Sequence, residues 1–169
     1  YPNPVEIATV IKDQIHSQLG FTVNVGIGPN KLLAKMASDF EKPDKVHTLF
    51  PEEMETKLWP LPVGELFSVG HKTAEKLNRE YIRTIGELAH TDLERVQYLV
   101  GKKFGKQIWE YANGIDDSLV LSEPEKAKEY SVSTTLEQDV TSIEEANQIL
   151  LSLSESVTQR MRADQAKAF

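Results

Sequence analysis

No cysteine occurs among the 169 residues, so the chain can have neither a disulfide framework nor a thiolate zinc site, which suits a reducing, cytoplasmic setting. No apolar run approaches the ~20 residues needed to cross a bilayer, and none resembles a secretory leader. The first residue is Tyr1 rather than methionine, and the expectation is part of a longer protein. Positive charge is also scarce: the formal net charge is −7. Taken as a total this speaks against a nucleic-acid partner, because such affinity comes largely from Lys and Arg neutralising phosphates. The local distribution reverses that conclusion. From Arg95 to Lys106 the chain carries Arg95, Lys102, Lys103 and Lys106 with no acid, whereas Glu123 to Glu145 is mostly acidic.

Residues 1–60 read as an αβα segment. Asn3, Pro4 and Glu6 supply an N-cap, a proline in the first turn and an acid at its end. Ile7, Ile11, Ile15 and Leu19 then recur at helical spacing up to Gly20. From Phe21 to Ile27 the apolar residues alternate, as in a strand with one buried face. A helix from Asn30 to Phe40 comes next, then a short strand from Val46 to Leu49 and an acidic helix opened by Pro51. Residues 61–114 read as an all-helical unit, with segments at Pro62 to Leu66, His71 to Glu80, Thr84 to Ala89, Asp92 to Leu99 and Lys103 to Asn113. The pairs Thr84/Glu87 and Thr91/Glu94 have capping-box spacing. Residues 115–129 form a linker with little to bury. In 130–169 a strand at Tyr130 to Leu136 precedes a long helix capped by Ser142 with Glu145. The fold class is therefore α+β and predominantly helical.

The stretch Phe67-Ser68-Val69-Gly70-His71-Lys72-Thr73 is a small-residue turn opening a basic helix. Backbone amides at such a turn, with the positive end of the helix behind them, form a place for a phosphate oxygen. Gly70 supplies backbone freedom, Lys72 a charge and Thr73 a hydroxyl. No base edge is read, so this grip is indifferent to sequence. Gly101-Lys102-Lys103-Phe104-Gly105-Lys106 is a looser second copy. The competing reading is a turn between packed helices with its lysines, Lys72 and Lys76, on a solvated face. Gly26-Ile27-Gly28-Pro29-Asn30-Lys31 also lies between a strand and a helix, but its spacing fits neither a nucleotide P-loop nor a dinucleotide fingerprint. A generic anion position at that helix start survives, with Gly28 serving a tight exit from the strand.

The run Val25-Gly26-Ile27-Gly28-Pro29-Asn30-Lys31 through Asp39-Phe40-Glu41-Lys42-Pro43 resembles the end of the palm in Y-family (UmuC-like, ImpB/MucB/SamB-type) translesion DNA polymerases. The downstream segments are similar in order: a helix-hairpin-helix thumb at Phe67 to Leu77, a Gly114-Ile115-Asp116 step, and a first little-finger strand at Ser131 to Leu136. The resemblance implies an αβα palm remnant, a thumb and the truncated β-α start of a little finger. It implies template-directed nucleotidyl transfer in DNA damage repair and the SOS response, with magnesium ions held by palm carboxylates. The family's Ser-x-Asp-Glu step is absent here, and Asp39, Glu41, Asp116 and Asp117 match no catalytic motif, so this part is expected to be inactive alone.

By the same resemblance Lys42, with Lys35, would reach the triphosphate of an incoming dNTP. Ser68, Val69, Gly70, Lys72 and Thr73, with Gly101, Lys102, Lys103 and Lys106 in the second turn, would meet the backbone of primer-template DNA. Carbonyls from Phe67 to Gly70 would offer a site to a monovalent cation, and a sliding clamp would be a further partner. Two positions depart from the family pattern: Lys45 and Ser68 stand where glycine is usual. Two other readings remain open. One is a non-catalytic DNA-binding or adaptor protein of the same fold. The other is a helix-hairpin-helix DNA glycosylase, for which Asp92 would be the acid.

Overall fold

The Asn3 side chain accepts the Val5 amide at 3.0 Å, and helix α1 (Pro4–Leu19) starts there and ends at Gly20, whose φ of 72° only glycine adopts freely. In the computed structural model, which describes residues 3–121, 127 and 129–167, the chain forms two units, Tyr1–Val120 and Leu121–Phe169. In the first, strand β1 (Val25–Ile27), helix α2 (Lys31–Asp39) and strand β2 (Val46–Thr48) make a βαβ unit. The strands are parallel, with Val25 opposite Val46 and Ile27 opposite Thr48. The strand expected from Phe21 begins only at Val25, because a ladder forms only where a neighbour pairs with it and β2 is equally short. Phe21 is left exposed.

Gly26 and Gly28 explain how α2 lies so close to β1. A Cβ on Gly26 would sit 1.9 Å from the Ala34 carbonyl oxygen, and one on Gly28 2.7 Å from the Ala34 amide. The function of Gly28 is thus close helix-strand packing rather than a tight exit from the strand. Leu32, Leu33, Met36 and Ala37 point from α2 into the core.

The start of α2 is closed from a distance. Asn30 accepts the Leu33 amide at 2.8 Å and donates its own amide to the Gly114 carbonyl at 2.8 Å. The Asp116 carboxylate accepts the Leu32 amide at 3.1 Å. The anion position expected at this helix start is therefore filled by the chain's own carboxylate. Burial pushes the Asp116 pKa up, but hydrogen bonds from Ser118 and from the Leu32 amide, with Lys31 nearby, leave it below the ordinary carboxylate value.

A 3₁₀ turn (Pro51–Glu53) leads into α3 (Met54–Lys57), and a second 3₁₀ turn (Val63–Glu65) replaces the helix expected at Pro62 to Leu66. Four helices come after it: α4 (His71–Arg79), α5 (Ile85–His90), α6 (Leu93–Val100) and α7 (Lys102–Ala112). One apolar cluster runs from Leu33 and Leu49 through Val63, Leu77 and Leu88 to Ile108, so these helices share a core with α2. Trp59 and Trp109 pin the arrangement by donating to the carbonyls of Ala112 at 3.1 Å and Thr91 at 2.9 Å. Thr84 and Glu87 form the expected capping box of α5. Thr91 does not cap α6: its hydroxyl donates back to the Glu87 carbonyl of α5, and Asp92 one residue on takes the cap. A carboxylate accepts two amides at once there, which a hydroxyl does less well.

In the second unit, Ser142 caps α8 (Ile143–Ala163) by accepting the Glu145 amide at 3.1 Å. The expected strand at Tyr130 to Leu136 is not formed, since no strand lies beside it among the described residues of this unit. Its start is held instead by Tyr130, whose hydroxyl donates to Asp164 at 2.9 Å, and by Arg160, which donates to the Ser131 carbonyl at 3.3 Å.

This packing sets two expectations. Gly26→Ala should lower the unfolding free energy by about 1–3 kcal/mol or more, as overpacking does, measured by chemical denaturation. The stability from a carboxylate whose folded pKa is depressed is present above its unfolded value of 3.8 and lost as pH falls through the folded pKa. Asp116→Asn should therefore cost stability near neutral pH, and its melting curve should converge on that of the parent chain as pH is taken below 3.8.

Candidate nucleic-acid interface

Every helix leaves its first amides without partners inside the helix, and a side-chain cap normally accepts from one of them. Asn3, Asn30, Thr84, Asp92 and Ser142 do so for α1, α2, α5, α6 and α8. Helices α4 and α7 differ. Their caps are Gly70 and Gly101, which have no side chain to accept with, and neither first turn contains an acid. The two turns singled out by sequence are thus the long helix starts in the first unit that present open amides together with basic residues.

The backbone of the first turn departs from expectation. Gly70 has φ −80° and ψ 167°, which any residue adopts. The left-handed residue is Ser68, with φ 74°, so the turn keeps the geometry glycine would give at the cost of a strained serine. Gly70 matters for the space above it: a Cβ there would meet nothing within 4 Å. Val69 is buried, and its amide donates to the Leu66 carbonyl at 2.9 Å. The Gly70 carbonyl accepts the amides of Thr73 and Ala74 at 3.0 Å each. In the second turn Gly101 is the left-handed residue, with φ 97°, and buried Gly105 lets α7 approach α6, since its Cβ would lie 2.7 Å from the Gln97 Cα.

Charge is divided in the same way. Lys72, Lys76, Lys102 and Lys103 are exposed, and no acid pairs with them among the described residues. Lys106 pairs with Glu110 at 3.5 Å. Arg95 faces the other way, donating to the Glu80 carbonyl at 3.2 Å and pairing with its carboxylate at 3.7 Å. A shallow groove lined by Lys72, Thr73, Lys76, Tyr98, Leu99, Val100 and Gly101 joins the two turns. Sequence reasoning left Lys76 as a solvated residue and missed Tyr98. For Lys76 the signal was helical spacing: it lies four residues after Lys72, on the same face.

A second group of cations gathers at the end of α2. Asp39 accepts from both Lys35 and Lys42, the latter at 2.8 Å. The hydrogen bond from Lys35, and then that from Lys42, hold its carboxyl below the ordinary range. Beyond the cis Lys42-Pro43 bond the left-handed position is taken by Asp44, φ 62°, which pairs with Lys12 at 2.9 Å. Lys45 needs no glycine-like geometry and reaches Glu41 at 3.4 Å.

Among the described residues no group of three or more His, Asp or Glu side chains could hold a metal ion. Asp92, the acid a glycosylase would need, already accepts the amides of Glu94 at 2.9 Å and Arg95 at 3.2 Å.

Three stretches of the chain match known families. Residues 1–39 match the impB/mucB/samB family, 64–116 the DNA polymerase-iota thumb domain, and 127–168 the impB/mucB/samB family C-terminal domain. The chain is 50% identical over 158 residues to DNA polymerase IV of Clostridium acetobutylicum, covering 94% of this chain and 40% of that protein. It is 42% identical over 170 residues to DNA polymerase IV 2 of Bacillus subtilis, covering 96% and 40%. It thus spans about two fifths of the length of these relatives. Among solved structures it is similar to an insertion ternary complex of Dbh DNA polymerase, with TM-score 0.61 and 28% identity over 69% of this chain and 34% of that one. DinB from Sulfolobus solfataricus gives TM-score 0.58 and 28% identity over 65% and 32%.

The strained turn yields a direct expectation. Ser68→Gly should raise stability by about 0.5–1 kcal/mol, relief of the left-handed strain being partly offset by greater freedom of the unfolded chain. Ser68→Val should lower it, both read from denaturation midpoints.

Proposed function

Because this chain belongs to the Y-family, impB/mucB/samB-type DNA polymerases, we propose that it is the DNA-gripping portion of an error-prone translesion polymerase. The observation that carries this reading is the pairing of two uncapped, basic helix starts along one groove. Phosphates of the primer-template backbone supply the acceptors that α4 and α7 lack, at Ser68, Gly70, Lys72 and the Thr73 hydroxyl on one turn and at Lys102 and Lys103 on the other, while Val69 and Gly101, whose amides are already bonded to Leu66 and Gln97, shape the turns. Lys106 adds charge with its Glu110 pair loosened. Residues 1–60 serve as the end of a palm, 61–114 as the thumb and 130–169 as the start of a little finger; of the expected linker 115–129, the part up to Val120 belongs to the first unit through Asp116.

Lys42 and Lys35 contact the triphosphate of the incoming dNTP, where a compact, hydrated ammonium on a flexible stem is suited to tracking a moving phosphate. Carbonyls of the Phe67 to Gly70 hairpin offer ligands to a monovalent cation, that of Gly70 being already engaged by the Thr73 and Ala74 amides. The polymerase as a whole uses divalent metal, with Mg²⁺ the ion we assign; among the described residues no group of three or more His, Asp or Glu side chains could hold it. A sliding clamp is a partner of the longer protein. The site of action is the cytoplasm, and no helix of the described residues is long and apolar enough to cross a membrane.

The adaptor alternative shares this grip and differs only in chemistry, whereas the glycosylase alternative loses its acid to the α6 cap. Titration of fluorescent primer-template DNA against the chain at several salt concentrations tests the grip. The logarithm of affinity should fall with that of salt at about 0.9 per phosphate contacted. Lys102→Glu with Lys103→Glu should weaken binding and reduce that slope by about 2. Gly70→Leu should weaken binding while leaving the melting temperature in place, because its side chain enters open space. Unchanged affinity in both variants would remove the reading. With dNTPs and magnesium added, the chain alone should extend no primer.

A further inference from the structure

We propose that the groove between α4 and the α6–α7 turn is a two-walled track for a single sugar-phosphate strand, with Tyr98 packing against deoxyribose and Lys76 adding a phosphate contact. This rests on the DNA-gripping reading of the chain and gives Tyr98 and Lys76 a part that the reading itself leaves unassigned. One wall is cationic and hydroxylic, formed by Lys72, Thr73 and Lys76 of α4. The other is largely apolar, formed by Tyr98, Leu99 and Val100 at the end of α6, with Gly101 at its mouth. A DNA strand has the same two faces, anionic phosphates on one side and weakly polar sugars on the other. Charge complementarity assigns the phosphates to the α4 wall, since neither Lys72 nor Lys76 has an acidic partner among the described residues.

Tyr98 is the natural contact on the opposite wall. It is 88% exposed, the most exposed aromatic among the described residues, and its hydroxyl has no hydrogen-bond partner there. A lone exposed aromatic needs no explanation. One placed beside unpaired lysines, three residues before an uncapped glycine turn, has a strand-sized surface to cover. The ring loses little conformational freedom on contact, which favours it as a rigid wall. Because a sugar has no net charge, this contact predicts a signature distinct from that of the lysines.

The test measures binding of duplex primer-template DNA by the full chain between low and moderate salt. Tyr98→Ala should weaken binding about fivefold at every salt concentration, with the salt slope unchanged. Tyr98→Phe should bind like the parent, because the ring rather than the hydroxyl makes the contact. Lys76→Ala should reduce the slope by about 1. Melting temperatures of all three should stay at the parent value, as neither side chain is packed in the core. If Tyr98→Ala binds like the parent while Lys102→Glu/Lys103→Glu does not, the track is wrong and the grip stands. If Tyr98→Phe is as weak as Tyr98→Ala, the hydroxyl is what matters and the sugar contact is wrong. If the parent chain shows no salt-dependent binding, both fail.

Discussion

The carboxylate of Asp116 on the Leu32 amide, at the start of α2, ties the two ends of the first unit together. With Asn30 bonded to the Gly114 carbonyl, it ties residues 84 positions apart and joins the βαβ segment to the end of the helical array. Gly114 is left-handed, φ 72°, a backbone that glycine adopts without strain, and there the chain turns back onto α2. Between the two ends of this clasp the apolar cluster is continuous, which fixes where α4 and α7 stand. The α2 start is part-buried, with Lys31 exposed beside it, and its amides are closed by side chains of the same unit.

The same physical requirement, met differently, defines the functional surface. At α2 the anion is a side chain of the protein; at α4 and α7 none is supplied. Glycine at both caps removes the usual acceptor and keeps the approach open, and the neighbouring lysines lack acidic partners. On the proposed reading a phosphate would do from outside what Asp116 does from within the chain. The strain at Ser68 lies at the same place: the turn that leads into the open α4 start keeps a left-handed residue although that residue is not glycine.

Much of this was legible in the residues. Caps at Asn3, Thr84 and Ser142, the helical spacing of apolar residues and the glycine-lysine turns are local signals, and local signals survive folding. The illegible part depends on residues distant in sequence. Asp116 reads as part of a polar linker until Leu32 is seen beside it. Gly28 reads as a turn until Ala34 lies against it. Asp92 outcompetes Thr91 for the α6 cap because Thr91 is drawn back to Glu87. Tyr98 and Lys76 belong to different helices, and only their packing brings them into one groove. The alternating run at Tyr130 to Leu136 has a strand's pattern but no neighbouring strand among the described residues.

The most direct measurement is an amide chemical-shift titration of the isotopically labelled chain with a short primer-template duplex. The amides of His71, Lys72, Lys102 and Lys103 should shift together along one binding curve, while those of Leu32 and Leu33, already closed by Asp116 and Asn30, should stay in place. Shifts confined to other surfaces, or separate curves for the two turns, would contradict a single strand held at two open helix starts.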